Sequence, residues 1–204
     1  MKWFFLLLFM PFTSHSQDPI KLDGKIDAAE WKSADSFALE KGGTLRLKQD
    51  QSFLYIGMSS QDEGWTHVYL QKKDTIFVLH ASAALGTAIY IDDGVRWNRV
   101  QTFQWGFRAM VYNDGTKKVM DDFLKQNRWV ANNINIGNKK TLEYKIDLAA
   151  FNGIEKIAFV YASDANEPHY FPKGLKDATI SADLVYGNPP DMLRFEPSTW
   201  RELH

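Results

Sequence analysis

Ile20-Lys21-Leu22-Asp23-Gly24-Lys25-Ile26-Asp27-Ala28-Ala29-Glu30-Trp31 is the stretch that decides the reading of this chain. Asp23-Gly24 is a turn dipeptide, because Gly takes positive φ without a Cβ clash. Asp27 reads as a helix N-cap whose carboxylate accepts from the Glu30 amide. Glu30 can reach back to the Asp27 amide, which makes a capping box. Ile26 and Trp31 occupy the two positions of a hydrophobic staple. The expectation is an extended segment, a turn, and one short helix whose Trp is clamped inward. Asp23, Asp27, Glu30 and Trp31 all read as structural.

Upstream, residues 1–16 have the form of a signal peptide: Lys2, an apolar run from 3 to 12, then Thr13-Ser14-His15-Ser16. Cleavage after Ser16 is expected, with a mature start at Gln17 and export to a bacterial periplasm, cell surface or medium. The apolar run is shorter than the roughly 20 residues a membrane span needs, and no later segment qualifies. Residues 17–204 are expected to form one domain, a fitting length for a single all-β unit.

The chain has no Cys, so disulfides, thiolate metal sites and Cys nucleophiles are excluded. Its 24 basic and 25 acidic residues give a net charge of -1, with both signs interspersed. That balance suggests neither nucleic acid nor an anionic membrane as a partner. Aromatic content is high at 14%, with 7 Trp.

Downstream, period-two alternation dominates. Residues 44–48 alternate, turn at Gln49-Asp50-Gln51, and lead into 52–58, which is apolar on both faces and so reads as a central strand. Residues 66–70 and 75–80 form a hairpin about Lys72-Lys73-Asp74. Further strands are expected at 88–91, 99–107 and 109–112, the last closed by Asn113-Asp114-Gly115. Val119, Met120, Phe123 and Leu124 recur at helical spacing after Thr116, a plausible N-cap. Residues 128–136 pair with 141–146, residues 147–151 make a short helical turn, and strands follow at 157–161 and 179–184. The fold class expected is an antiparallel two-sheet β-sandwich, jelly-roll or immunoglobulin-like, with one or two short helices.

The run Leu22-Asp23-Gly24-Lys25-Ile26-Asp27, closed by Glu30-Trp31, resembles the opening of family 9 carbohydrate-binding modules and their DOMON-like relatives. The strand pair at 44–58 and the sequence Leu142-Glu143-Tyr144-Lys145-Ile146-Asp147-Leu148 also look like parts of that family. The resemblance implies a non-catalytic β-sandwich that binds a glycan chain end between two Trp rings. Among DOMON relatives it also implies haem bound for electron transfer through Met, His or Lys. A structural or partner-binding envelope protein is the third reading.

Sugar recognition needs an exposed flat ring beside hydrogen-bonding side chains. Trp97 lies in the most polar loop, Asp92-Asp93-Gly94-Val95-Arg96-Trp97-Asn98, and Trp65 lies in another, Gln61-Asp62-Glu63-Gly64-Trp65. The expected site is Trp97 and Trp65 with Arg96, Asn98 and Asp93. Trp105 and Trp129 read as core. Asp92-Asp93 and Asp62-Glu63 read as solvated turns, since neither has calcium-loop spacing. His67 and His80 sit on neighbouring strands of one hairpin and can face each other. They are candidate metal ligands, and with Met58 and Met110 candidate haem ligands. No cofactor is called for by any motif, and no hydrolase signature stands out.

Overall fold

The computed structural model describes residues 20–39, 42–108, 111, 113–132, 136–137, 139–151, 153–163, 168–175 and 189–203. The leader at 1–16, the strand expected at 179–184, most of 109–112 and Met110 lie outside them.

Two antiparallel sheets face each other, so the sandwich expected from the alternation is present. One sheet has five strands in the order β1-β2-β3-β9-β8: β1 Asp35–Ala38, β2 Thr44–Gln49, β3 Phe53–Ser59, β9 Thr141–Asp147 and β8 Trp129–Ala131. The other has eight. Its main path is β11 His169–Phe171, β10 Lys156–Ala162, β4 Trp65–Lys72, β5 Thr75–Ala81, β6 Leu85–Asp92, β7 Trp97–Gln101 and β12 Met192–Leu193, with β13 Arg201–Glu202 also on the β10 edge.

β3 is the central strand of its sheet, which is why it is apolar on both faces. Leu54, Ile56 and Met58 point between the sheets, opposite Val68, Leu70, Leu79 and Phe159. Polar pins cross this core. Thr66 of β4 bonds the Tyr144 hydroxyl of β9. Trp129 of β8, fully buried, donates its indole N–H to Thr87 Oγ1 of β6 at 2.8 Å.

The opening stretch packs on the far side of β3. Gly24 has φ +77, as the turn requires. Asp27 Oδ1 accepts from the amides of Ala29 (2.7 Å) and Glu30 (3.3 Å). The reciprocal half of the expected capping box does not form. The Asp27 amide donates to Lys25 O instead, and Glu30 turns to the Lys21 amide. The result is one turn, with Trp31 N bonded to Asp27 O at 3.1 Å, and no helix. The staple residues converge on Gly57: a Cβ there would meet Trp31 Cη2 at 2.7 Å and Ile26 Cδ1 at 3.0 Å.

The expected helix is α1, Asp114–Asn127. Its N-cap is Asn113 and not Thr116, since Asn113 Oδ1 accepts from the Thr116 amide at 3.0 Å. Asn-Asp-Gly therefore starts a helix here, because an Asn that can make a turn can equally cap one. The strand expected at 99–107 stops at Gln101. Phe107 has φ +51, and Gly106 makes an isolated bridge to Leu85.

A second apolar layer covers the outer face of the eight-stranded sheet. Tyr69, Val78, Ala88, Tyr90 and Val160 of the strands meet Leu193, Phe195 and Trp200 from the chain's end. That cover leaves one end of the face to the segment 102–108 and to the residues described next.

Candidate binding site

β4, β5 and β6 place every second side chain on this outer face. His67 of β4 stands directly across from His80 of β5, and His80 across from Gly86 of β6. Trp65 and Ser82 lie one residue beyond the Thr66–Ala81 pair, at the same end of the sheet. Over them runs 102–108, with Phe103 buried and Trp105 48% exposed.

The Trp105 ring is held from two sides. Phe103 lies at 5.0 Å between centroids and the His80 ring meets it edge-on at 5.1 Å. Gly86 leaves the space beneath: a Cβ there would meet Trp105 Cε3 at 3.0 Å. An indole fixed in this way presents one face to water at little loss of rotamer freedom.

Beneath it, three polar groups form a line. His80 Nε2 lies 2.8 Å from Ser82 Oγ, and His80 Nδ1 lies 2.9 Å from His67 Nε2. Two proton arrangements satisfy this line. In one, Ser82 donates to His80, His80 to His67, and His67 keeps its proton on Nδ1. In the other every bond reverses, and Ser82 donates to Ala84 O at 3.3 Å. Either way His67 Nδ1 is buried with no hydrogen-bond partner. Burial lowers both ring pKa values, His80 to about 4 and His67 well below 6.5, where the neighbouring His80 adds to the effect. Both rings are neutral near pH 7.

The two His thus face each other as expected, but they bond each other and enclose no space for an ion. Among the described residues no group of three or more His, Cys, Asp or Glu is placed to hold a metal. Met58 lies in the inter-sheet core, on the opposite side of the sheet from His80, so the two cannot flank one haem.

The site expected about Trp97 needs correction. Trp97 is 6% exposed and packs edge-on against Phe195 at 5.9 Å, in the outer apolar layer. A ring so covered offers no stacking face. Asp93, Arg96 and Asn98 do come together, but they serve the loop itself. Asp93 Oδ1 accepts from the Val95 and Arg96 amides, and Asp93 Oδ2 from Asn98 Nδ2 at 2.7 Å. These bonds, led by the Val95 amide, lower the Asp93 pKa below its usual value. Trp65 is half-buried at the opposite end of the sheet, roughly 25–30 Å from Trp97 by strand geometry. Trp105, expected to be core, is instead 48% exposed. Trp97→Ala is accordingly expected to lower unfolding free energy by about 3 kcal/mol. Chemical denaturation checks this, and a change under about 0.5 kcal/mol would contradict the burial.

Grooves among the described residues also lie elsewhere. One of about 620 Å³ runs between residues 47–51 and 201–203, and its Arg201 faces Asp35 at 3.8 Å. Another of about 450 Å³ lies between 20–22 and α1. Neither gathers a set of groups with a common chemistry. No family model, curated protein or solved structure matches this chain.

Proposed function

We propose that this protein is an exported glycan-binding module whose platform is Trp105. The observation that carries the reading is the half-exposed indole, braced by Phe103 and His80 over Gly86 on the outer face of the eight-stranded sheet. Pyranose rings present C–H faces that complement the negative face of an indole. Ser82, bonded to the His80 ring that braces the indole, brings one hydroxyl to this neighbourhood, the type of group that reads sugar hydroxyls. Trp65, at the same end of the face, supplies a second indole within the same neighbourhood. Two indoles at one site agree with the resemblance of the opening motif to family 9 carbohydrate-binding modules. The leader-like residues 1–16 support export to the periplasm, surface or medium.

A glycan array probed with the mature protein tests this reading. Binding to a restricted set of glycans is the expected result. No binding to any immobilised glycan would refute it.

A further inference from the structure

Ser82, His80 and His67 form an arrangement that sugar stacking does not require. The rest of this sheet face is built mainly from apolar and tyrosine side chains such as Ile76, Val78, Ala88, Tyr69 and Tyr90. A packing role at positions 67 and 80 would be met equally by Val or Ile. The chain instead buries two imidazoles, and leaves one nitrogen unpartnered, at a penalty of about 1–3 kcal/mol. Buried polar groups that a fold tolerates at such a penalty concentrate at functional sites. The line also has direction: it starts at a half-buried hydroxyl in the β5–β6 turn and ends on a buried ring.

We propose that Ser82 is the nucleophile of an acyl-transfer site, with His80 as general base and His67 as the residue that positions it, acting on carboxylic esters. A nucleophile, a base within hydrogen-bond reach of it, and a third group orienting the base make up the constellation this chemistry needs. Ser82 Oγ attacks the ester carbonyl carbon, and its proton passes to His80 Nε2. The tetrahedral intermediate collapses as the C–O bond to the alcohol breaks, and His80 returns the proton to the leaving alkoxide. Water then attacks the acyl-Ser82 ester, again through His80, releasing the carboxylic acid and restoring the hydroxyl. No oxidant or cofactor is needed. The Ala84 amide lies 3.5 Å from Ser82 Oγ and donates toward it. The arrangement the reaction uses is the first of the two, in which His67 Nε2 accepts the His80 Nδ1 proton and His80 Nε2 is free to act as base.

The pH profile is distinctive. Among the described residues, the rings that pack against His80 are His67, Phe103 and Trp105, and His67 itself stacks on Tyr69. None of these carries charge near neutrality, so nothing holds His80 protonated. Its base form persists down to about pH 4.

Two experiments on the mature protein test the proposal. A fluorophosphonate probe followed by peptide mass spectrometry should place a single adduct on Ser82. Hydrolysis of p-nitrophenyl acetate should fall about 100-fold or more in Ser82→Ala and in His80→Gln. The wild-type rate per free ester should stay level from pH 5 to 8 where an ordinary His would titrate. His67→Gln, whose amide oxygen accepts the same proton, should keep the rate within about threefold, while His67→Leu should lose about tenfold or more. An unlabelled Ser82 in the folded protein, or hydrolysis undiminished in Ser82→Ala, overturns the proposal. Ser82 is half-buried in a turn, so its loss leaves the fold intact and the second result decisive. Neither result bears on Trp105, whose glycan contact stands or falls on the array.

Discussion

Thermal stability should be greatest near pH 6.5 and fall on both sides, by about 1.4 kcal/mol per pH unit. Three buried groups with shifted pKa values shape this curve. His67 and His80 have folded pKa values lowered from 6.5 by burial. Below pH 6.5 the unfolded chain binds protons at these positions and the folded chain does not. Their contribution is therefore complete above pH 6.5 and lost as pH falls toward 4. Glu143 does the opposite. Its side chain is buried between β9 and the opening stretch, and burial raises its pKa from 4.5 to about 8, against the bonds it accepts from Gly24 N and Trp31 Nε1. Its contribution is complete below pH 4.5 and lost as pH rises through 8.

Between pH 4.5 and 6.5 two His outweigh one Glu, and stability rises with pH. From 6.5 to 8 Glu143 acts alone, and stability falls. For a chain of this length the slope corresponds to about 3–6 °C in melting temperature per pH unit. Glu143→Gln should flatten the alkaline limb while lowering stability at pH 6.5, because an amide nitrogen then faces an N–H donor. His80→Gln should flatten the acid limb, leaving His67 and Glu143 to cancel. Melting curves at half-unit intervals from pH 4.5 to 8 check this. A steady rise across the whole range would contradict the buried state of Glu143.

Trp31→Ala should lower unfolding free energy by about 3–5 kcal/mol. Trp31 is 4% exposed, and its ring lies over Gly57, where even a Cβ would collide with it. Truncation opens a cavity on the far side of the central strand that a glycine cannot fill. It also takes away one of the two donors that reach the Glu143 carboxyl. The opening stretch is tied to β9 through Gly24 as well, whose carbonyl accepts from Thr141 Oγ1. The loss should therefore register in the global transition and not as local fraying. Urea denaturation followed by far-ultraviolet dichroism measures it, and a loss under about 1 kcal/mol would show that Trp31 is not a core residue.

Individual strands and hairpins were legible where local pattern suffices. β2, β3 and the β4–β5 hairpin follow from alternation and turn residues, and Asp27 with Trp31 from capping logic. The His67–His80 pairing follows from hairpin register alone. The burial of Trp97 was not legible for a reason of distance. Trp97 sits in a polar loop, but the side chain that covers it, Phe195, lies nearly a hundred residues on. Nothing within a local window marks that cover. Trp105 reads as core because Phe103 and Phe107 flank it at period two. The segment is not a strand, however, and the positive φ of Phe107 breaks the alternation. Ser82 lies in Ser-Ala-Ala, which carries no signal of its own, and it meets His80 because residues two apart on a strand share a face.

The central claim, that Trp105 and not Trp97 meets the ligand, is tested most directly by calorimetric titration of the best array glycan into wild-type, Trp105→Ala and Trp97→Ala proteins, each first shown to be folded. Trp105→Ala should weaken binding about thirtyfold, or about 2 kcal/mol, with an unchanged melting temperature. Trp97→Ala should melt earlier yet, while folded, bind the glycan with wild-type affinity. Unchanged affinity in Trp105→Ala, or lost affinity in a folded Trp97→Ala, would contradict the account.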